Sequence, residues 1–170
     1  SLAGKIINSG AKLLGLKKGV PFAIGSLDHH AAAIGAGVGK IAQLSESTGT
    51  VLASFRYTNN YYPKTNTCMG PGLCGYDYYQ LAFNGNGTEA LQWYRDEHTP
   101  DLTLDELGQL TQKVEAGSNG LIAKPMTNHY KGLKGFENIS NIHTTGHFVR
   151  AIMESTALSL LQLINNLCDG

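Results

Sequence analysis

The apolar positions change period along the chain, and each change marks an element. From Thr145 to Leu167 the residues Val149, Ile152, Met153, Leu160, Leu163, Ile164 and Leu167 recur at intervals of three and four, with Thr156 filling the gap on the same face. That spacing predicts an amphipathic helix on the order of 30 Å long at about 1.5 Å per residue, its Val149, Met153, Leu160 and Leu167 stripe packed on a sheet. Leu2 to Leu14 reads as another amphipathic helix, with Ala3, Ile6, Ile7, Leu13 and Leu14 near one face and Gly15 ending it. Pro21 to Gly25 is a short apolar run suited to a buried strand. Asp28 follows, and the Ala-rich stretch His29 to Gly37 predicts a helix opening just after it.

Ser47 to Tyr57 has the alternating, β-branched character of a strand entered through a small-residue turn. Thr58 to Gly75 reads as loop with room for one short strand, and Tyr76 to Phe83 as a further strand. Asn84-Gly85-Asn86-Gly87 is a strong turn signal. Helices are expected over Thr88–Glu97 and Leu104–Ala116, the second opened by the capping box Thr103-x-x-Glu106. Leu121 to Met126 is a short strand candidate interrupted at Pro125, and Thr127 to Asn141 a polar loop. Strands alternating with helices make the fold α/β. The last helix runs into Asn165-Asn166-Leu167-Cys168-Asp169-Gly170, and the chain reads as cut at a helix end rather than completed.

Charge and composition narrow the function classes. Lys plus Arg equals Asp plus Glu at 13 each, so the net charge is zero, which argues against nucleic acid or an anionic membrane as a partner. No apolar run reaches the length of a membrane-spanning helix, and Ser1-Leu2-Ala3-Gly4-Lys5 does not open a signal peptide. Cys68, Cys74 and Cys168 are an odd set with no zinc spacing, read as reduced thiols of a cytoplasmic protein. Asn86-Gly87-Thr88 and Asn138-Ile139-Ser140 are chance matches to a glycosylation pattern in that setting.

Two constellations could carry chemistry. Asp28, after the apolar run and beside a helix start, sits where α/β sheets place their ligands, and its carboxylate could accept a proton from a hydroxyl. Local pattern by itself favours a plain helix cap. Ser47, Thr48, Gly49 and Thr50 could present backbone N–H groups and hydroxyls to phosphate oxygens, or simply form a turn into a strand. Gly35-Ala36-Gly37-Val38-Gly39-Lys40 has one residue too few for a phosphate loop and is followed by Ile41, so it is helix end plus loop. His143 and His147 are four apart, but Thr144-Thr145-Gly146 places a helix start between them, and no metal site is expected.

Taken in order, these segments resemble the FGGY carbohydrate kinases over essentially the whole chain. Ala3-Gly4-Lys5, Ala11, Gly15-Leu16, Gly19-Val20-Pro21-Phe22-Ala23-Ile24-Gly25 and Asp28-His29-His30-Ala31-Ala32-Ala33-Ile34-Gly35-Ala36-Gly37 are similar to the opening of that family's C-terminal domain. Ser47-Thr48-Gly49-Thr50, Gly120-Leu121 with Pro125, Gly132-Leu133 and His147-x-x-Arg150-Ala151-x-x-Glu154 match later landmarks. The resemblance implies a ribonuclease-H-like, actin-type ATPase domain, partial over 1–170, with a mixed sheet and flanking helices. The N-terminal domain and the adenosine-binding end would lie elsewhere. It implies transfer of the ATP γ-phosphate, with magnesium, to a sugar or polyol hydroxyl. Asp28 matches the family's base, and Ser47, Thr48, Gly49 and Thr50 match a turn near the nucleotide phosphates. The Arg150–Glu154 spacing also fits a plain intrahelical ion pair. One departure is evident: after Pro125 the family's Gly-Glu-Arg segment is replaced by Met126-Thr127-Asn128-His129-Tyr130-Lys131-Gly132. The rival expectation is a non-catalytic binding module of the same fold. A homodimer is left open.

Overall fold

The computed structural model describes residues 2–64, 66–72, 75–124 and 135–168. The chain divides into two compact units, residues 1–32 and 33–170.

The first unit departs from the single helix expected over Leu2–Leu14. Leu2–Lys5 is a strand (β1) and only Asn8–Leu14 is helical (α1). β1 pairs antiparallel with Pro21–Ala23 (β2), Leu2 opposite Ala23 and Lys5 opposite Pro21. The pairing continues through Ile6 N–H to Val20 O at 2.9 Å and Gly19 N–H to Ile6 O at 2.8 Å. These partners lie far along the chain, so helical spacing alone could not reveal them. Gly15 ends α1 as expected. It is left-handed at φ 65°, and Leu16 N–H bonds the Ala11 carbonyl beyond it. The expected buried strand at Pro21–Gly25 is shorter and exposed throughout. Asp28–Gly35 is a helix (α2) that crosses from the first unit into the second.

The second unit is built on an antiparallel sheet of Leu44–Thr48 (β3), Leu52–Thr58 (β4), Cys68–Pro71 (β5) and Tyr78–Asn84 (β6), in the order β3-β4-β6-β5. The stretch expected as one strand from Ser47 to Tyr57 is thus a hairpin: Gly49 and its neighbours reverse the chain, with Thr48 opposite Leu52. Among the described residues the ladders of the expected mixed sheet are antiparallel, and the parallel pairing is one isolated bridge between Val38 and Ala42. Glu89–His98 (α3) and Leu104–Thr111 (α4) follow. The Thr103–Glu106 capping box forms in both directions, and α4 ends a turn earlier than its apolar pattern suggested. Ile122–Ala123 (β7) pairs with Phe136–Glu137 (β8). Pro125 and Met126, the segment Thr127–Gly132 and Leu133 lie outside the described residues, as do Cys74, Asp169 and Gly170.

Thr145–Cys168 is one helix (α5), about 36 Å long at roughly 1.5 Å per residue. Its N-terminal half buries Val149, Ala151 and Ile152 against Ala90, Tyr94, Leu107, Leu121 and Ala123. Its C-terminal half closes Leu163 and Leu167 over Leu52 and Ala82 of the sheet. The other sheet face packs Ala53, Phe55 and Leu81 on Ala33 and Val38. Met153 corrects the expected stripe: it is 46% exposed, while Ile152 beside it is 1% exposed. Val149 and Leu167 of that stripe are buried and Leu160 is half-buried, so the departure is local to Met153, where Ile152 takes the core position against the neighbouring helices. No helix among the described residues is long and apolar enough to cross a membrane.

Candidate functional site

The Ser47–Thr50 segment is the end of β3 and the reversal that follows it. Ser47, Thr48 and Thr50 are exposed. Thr48 Oγ1 donates to Glu46 Oε2 at 2.7 Å. Among the described residues the N–H groups of Gly49 and Thr50 donate to no protein acceptor. The carbonyl side of the turn is occupied: Thr88 N–H donates to Gly49 O at 2.9 Å. Gly87 lies so close that a Cβ there would collide with the carbonyl oxygens of both Gly49 and Thr50. The Asn84–Thr88 turn therefore backs the Ser47–Thr50 turn through main-chain contact.

That second turn is itself anchored from within. Asn86 is fully buried, and its Nδ2 donates to Ser155 Oγ at 3.1 Å and Ser159 Oγ at 2.9 Å on α5. Its backbone N–H donates to Asn84 Oδ1 at 2.8 Å. A chain of support runs from α5 through Asn86 and Gly87 to Gly49 and Thr50. With the Gly49 carbonyl engaged and the Gly49 and Thr50 amides open, the turn keeps main-chain donors for an acceptor such as a phosphate oxygen, although the Glu46 carboxylate stands at its β3 side. The sequence marked Asn84–Gly87 as a turn, but it carried no sign that the two turns touch. Burial of Asn86 also disposes of one apparent glycosylation match.

Asp28 belongs to the first unit. It is the first residue of α2, five positions beyond the end of β2, and it is exposed. Oδ1 accepts the N–H of the adjacent His29 at 2.8 Å. The bond reaches only the next residue, not the second or third amide that a capping side chain satisfies. Oδ2 has no hydrogen bond among the described residues. Beside it His30 is partly buried, and burial lowers its pKa below the ordinary histidine value.

The Arg150–Glu154 pair is present, with Nε to Oε1 at 2.8 Å, and it does more than brace one helix. Glu154 also accepts Gly117 N–H at 2.9 Å and Ser118 Oγ at 3.2 Å. Residues 117–120 are all at positive φ, including the non-glycines Ser118 at 48° and Asn119 at 51°. Asn119 in turn meets His147 Nε2 at 3.1 Å, and its carbonyl meets His143 Nε2 at 3.3 Å. The histidines are tied into this turn as hydrogen-bonding groups. Among the described residues no group of three or more His, Cys, Asp or Glu is gathered to hold a metal ion. Burial works against ionisation of Glu154, but the bonds from Arg150, Gly117 and Ser118 and the Arg150 charge outweigh it and hold its pKa below the ordinary value. Residues Gly35–Lys40 form the end of α2 and a turn, with Gly37 at φ 84° and Gly39 at φ 85°, as expected.

No family model matches the chain. It is 29% identical to a xylulose kinase of Staphylococcus epidermidis over a 173-residue alignment, covering 96% of the chain and 35% of the relative. It is 28% identical over 153 residues to a xylulose kinase of Lactococcus lactis, covering 80% of the chain and 29% of the relative. Among solved structures, xylulose kinase from Rhodospirillum rubrum superposes over 99% of the chain and 36% of its own length, with a TM-score of 0.81 at 23% identity. Gluconate kinase from Lactobacillus acidophilus superposes over 98% of the chain and 36% of its own, with a TM-score of 0.79 at 20% identity. The chain thus spans about a third of the length of the curated relatives it matches. In sequence the chain is similar to xylulose kinases, and in fold to xylulose and gluconate kinases, in keeping with the resemblance its motifs carried.

Proposed function

We propose that the chain is the first half of the C-terminal domain of an ATP-dependent kinase that phosphorylates a sugar or polyol hydroxyl. The structural observation that carries this reading is the Gly49–Thr50 turn, with its carbonyls packed on Gly87 and its amides left open. Backbone N–H groups fixed from behind are what a transferring phosphate needs, because phosphoryl transfer depends mainly on positioning and charge stabilisation. Ser47 and Thr50 add hydroxyl groups to the same turn, and the Thr48 hydroxyl would have to leave Glu46 Oε2 to join them. Asp28, exposed and with one carboxylate oxygen unengaged, takes the proton of the attacking hydroxyl. Magnesium, when present, neutralises charge on the phosphates. The relatives' names make xylulose the first sugar to assay. About two thirds of such an enzyme would lie outside this segment, so residues 1–170 alone should turn over no sugar. A cytoplasmic location fits this activity, because ATP is its substrate.

The test is Asp28→Asn in the full-length enzyme, measured as sugar-dependent ATP consumption. Asn keeps the size and the contact to His29 but is no base at neutral pH. Turnover should fall by about 10²–10⁴ while ATP affinity holds. Near-normal turnover would remove Asp28 from the mechanism.

A further inference from the structure

The sheet face under α5 is apolar for only part of its length. Leu52 and Ala82 lie beneath Leu163 and Leu167. Further along the same face of β4 come Arg56 and Thr58, opposite Gln80 and Tyr78 of β6. Arg56, Thr58 and Gln80 floor a cavity of about 380 Å³, with Tyr61, Tyr62 and Lys64 among its walls. It stands at the opposite end of β4 from the Ser47–Thr50 turn.

Among the described residues the charged side chains lining this cavity are Arg56 and Lys64, both cations. Arg56 Nε donates to Gln80 Oε1 at 2.8 Å, and Gln80 is 1% exposed. A buried partner therefore fixes the guanidinium in place before any ligand arrives. The contact uses one of its five N–H donors, so the two terminal nitrogens keep four. Among the described residues Arg56 makes no ion pair. Lys64 Nζ donates to the carbonyl oxygen of Asn166, in the last turn of α5, at 3.0 Å, which holds the ammonium at the cavity wall. Thr58 Oγ1 accepts Asn60 N–H at 3.2 Å, leaving its own O–H to donate. The Tyr61 ring packs on Tyr78 with centroids 5.1 Å apart.

We infer that this cavity binds a small organic oxyanion, a carboxylate or phosphate, whose planar or apolar part lies against Tyr61 and Tyr62. A pre-oriented guanidinium matches an oxyanion's paired acceptors, and the volume falls within the range of about 300–1,000 Å³ for small-molecule sites. The chain as a whole is neutral, so the attraction is local to this cavity. The site lies apart from the proposed phosphate turn and does not depend on the kinase reading.

Isothermal titration of the full-length protein with phenyl phosphate and with benzoate tests it, each run with and without a saturating non-hydrolysable ATP analogue. At least one probe should bind once per chain and stay bound with the analogue present, and comparing the two tells phosphate from carboxylate. Arg56→Gln should weaken binding roughly ten- to a hundredfold, the loss expected for a charged hydrogen bond. Asn60→Asp, at an exposed position lining the cavity, sets a carboxylate beside the cations. It should weaken binding comparably while leaving the Arg56–Gln80 contact and the melting temperature intact. Absence of binding by both probes, displacement of both by the ATP analogue, or full affinity retained in Asn60→Asp would each overturn the assignment. No readout uses sugar turnover, so failure of the kinase reading leaves the result legible.

Discussion

Gly87→Ala isolates the contact between the two turns. The added methyl would meet the carbonyl oxygens of Gly49 and Thr50, which are main-chain atoms that no rotamer change can remove. Overpacking of this kind costs about 1–3 kcal/mol. Shifting the turn also weakens the Thr88 N–H to Gly49 O bond, worth about 0.5–1.5 kcal/mol. Against this, Ala restricts the unfolded chain and returns about 0.4–1 kcal/mol. Steric cost wins, leaving a net loss of about 1–3 kcal/mol. For a chain of this size that is a fall of roughly 3–10 °C in melting temperature. Urea unfolding followed by fluorescence of Trp93, inside α3, reads the loss directly. Gly108→Ala is the matched control, since a Cβ there meets nothing within 4 Å and the site is inside α4, where Ala is favoured by about 0.5–1 kcal/mol. If Gly87→Ala proved as stable as Gly108→Ala, the turns would not be braced as described. On the proposed kinase reading, the same substitution in the full-length protein should also weaken ATP binding, because it moves the amides of Gly49 and Thr50.

Three further outcomes follow from named contacts. Thr103→Ala removes one arm of the capping box of α4 and should cost about 1 kcal/mol in denaturant unfolding. Glu154 has a lowered pKa in the folded chain, so its contribution to stability is present above the ordinary value of 4.5 and is lost as pH falls through the lower folded value. Glu154→Gln should accordingly flatten the fall in stability below pH 4.5, and an unchanged acid limb would refute the linkage. Ile152→Ala should cost about 2–5 kcal/mol, whereas Met153→Gln should stay within about 0.5 kcal/mol, and melting curves of the two decide which residue faces the core.

The elements legible from the residues alone are those stabilised by near neighbours. The three-and-four spacing of α5, the reciprocal bonds of Thr103 and Glu106, the left-handed Gly15 and the Asn84–Gly87 turn each depend on a few consecutive residues, and each appears where expected. The resemblance to known sugar kinases was legible too, because the order of its motifs along the chain needs no coordinates. What escaped depends on partners distant in sequence. Leu2–Lys5 is a strand because residues 20–23 supply its hydrogen bonds, although its apolar spacing also suits a helix. Met153 is exposed because the position of α3, α4 and the sheet, not the helix period, selects the buried face. Glu154 reads as half of an ion pair, yet its further partners, Gly117 and Ser118, lie 37 and 36 residues away. The same holds at the candidate site: Ser47 to Thr50 were identifiable as a turn of small residues, but packing alone set Gly87 against it and left its amides unengaged. Local periodicity fixes which backbone hydrogen bonds a segment can make with itself, and tertiary packing decides which polar groups remain for a ligand.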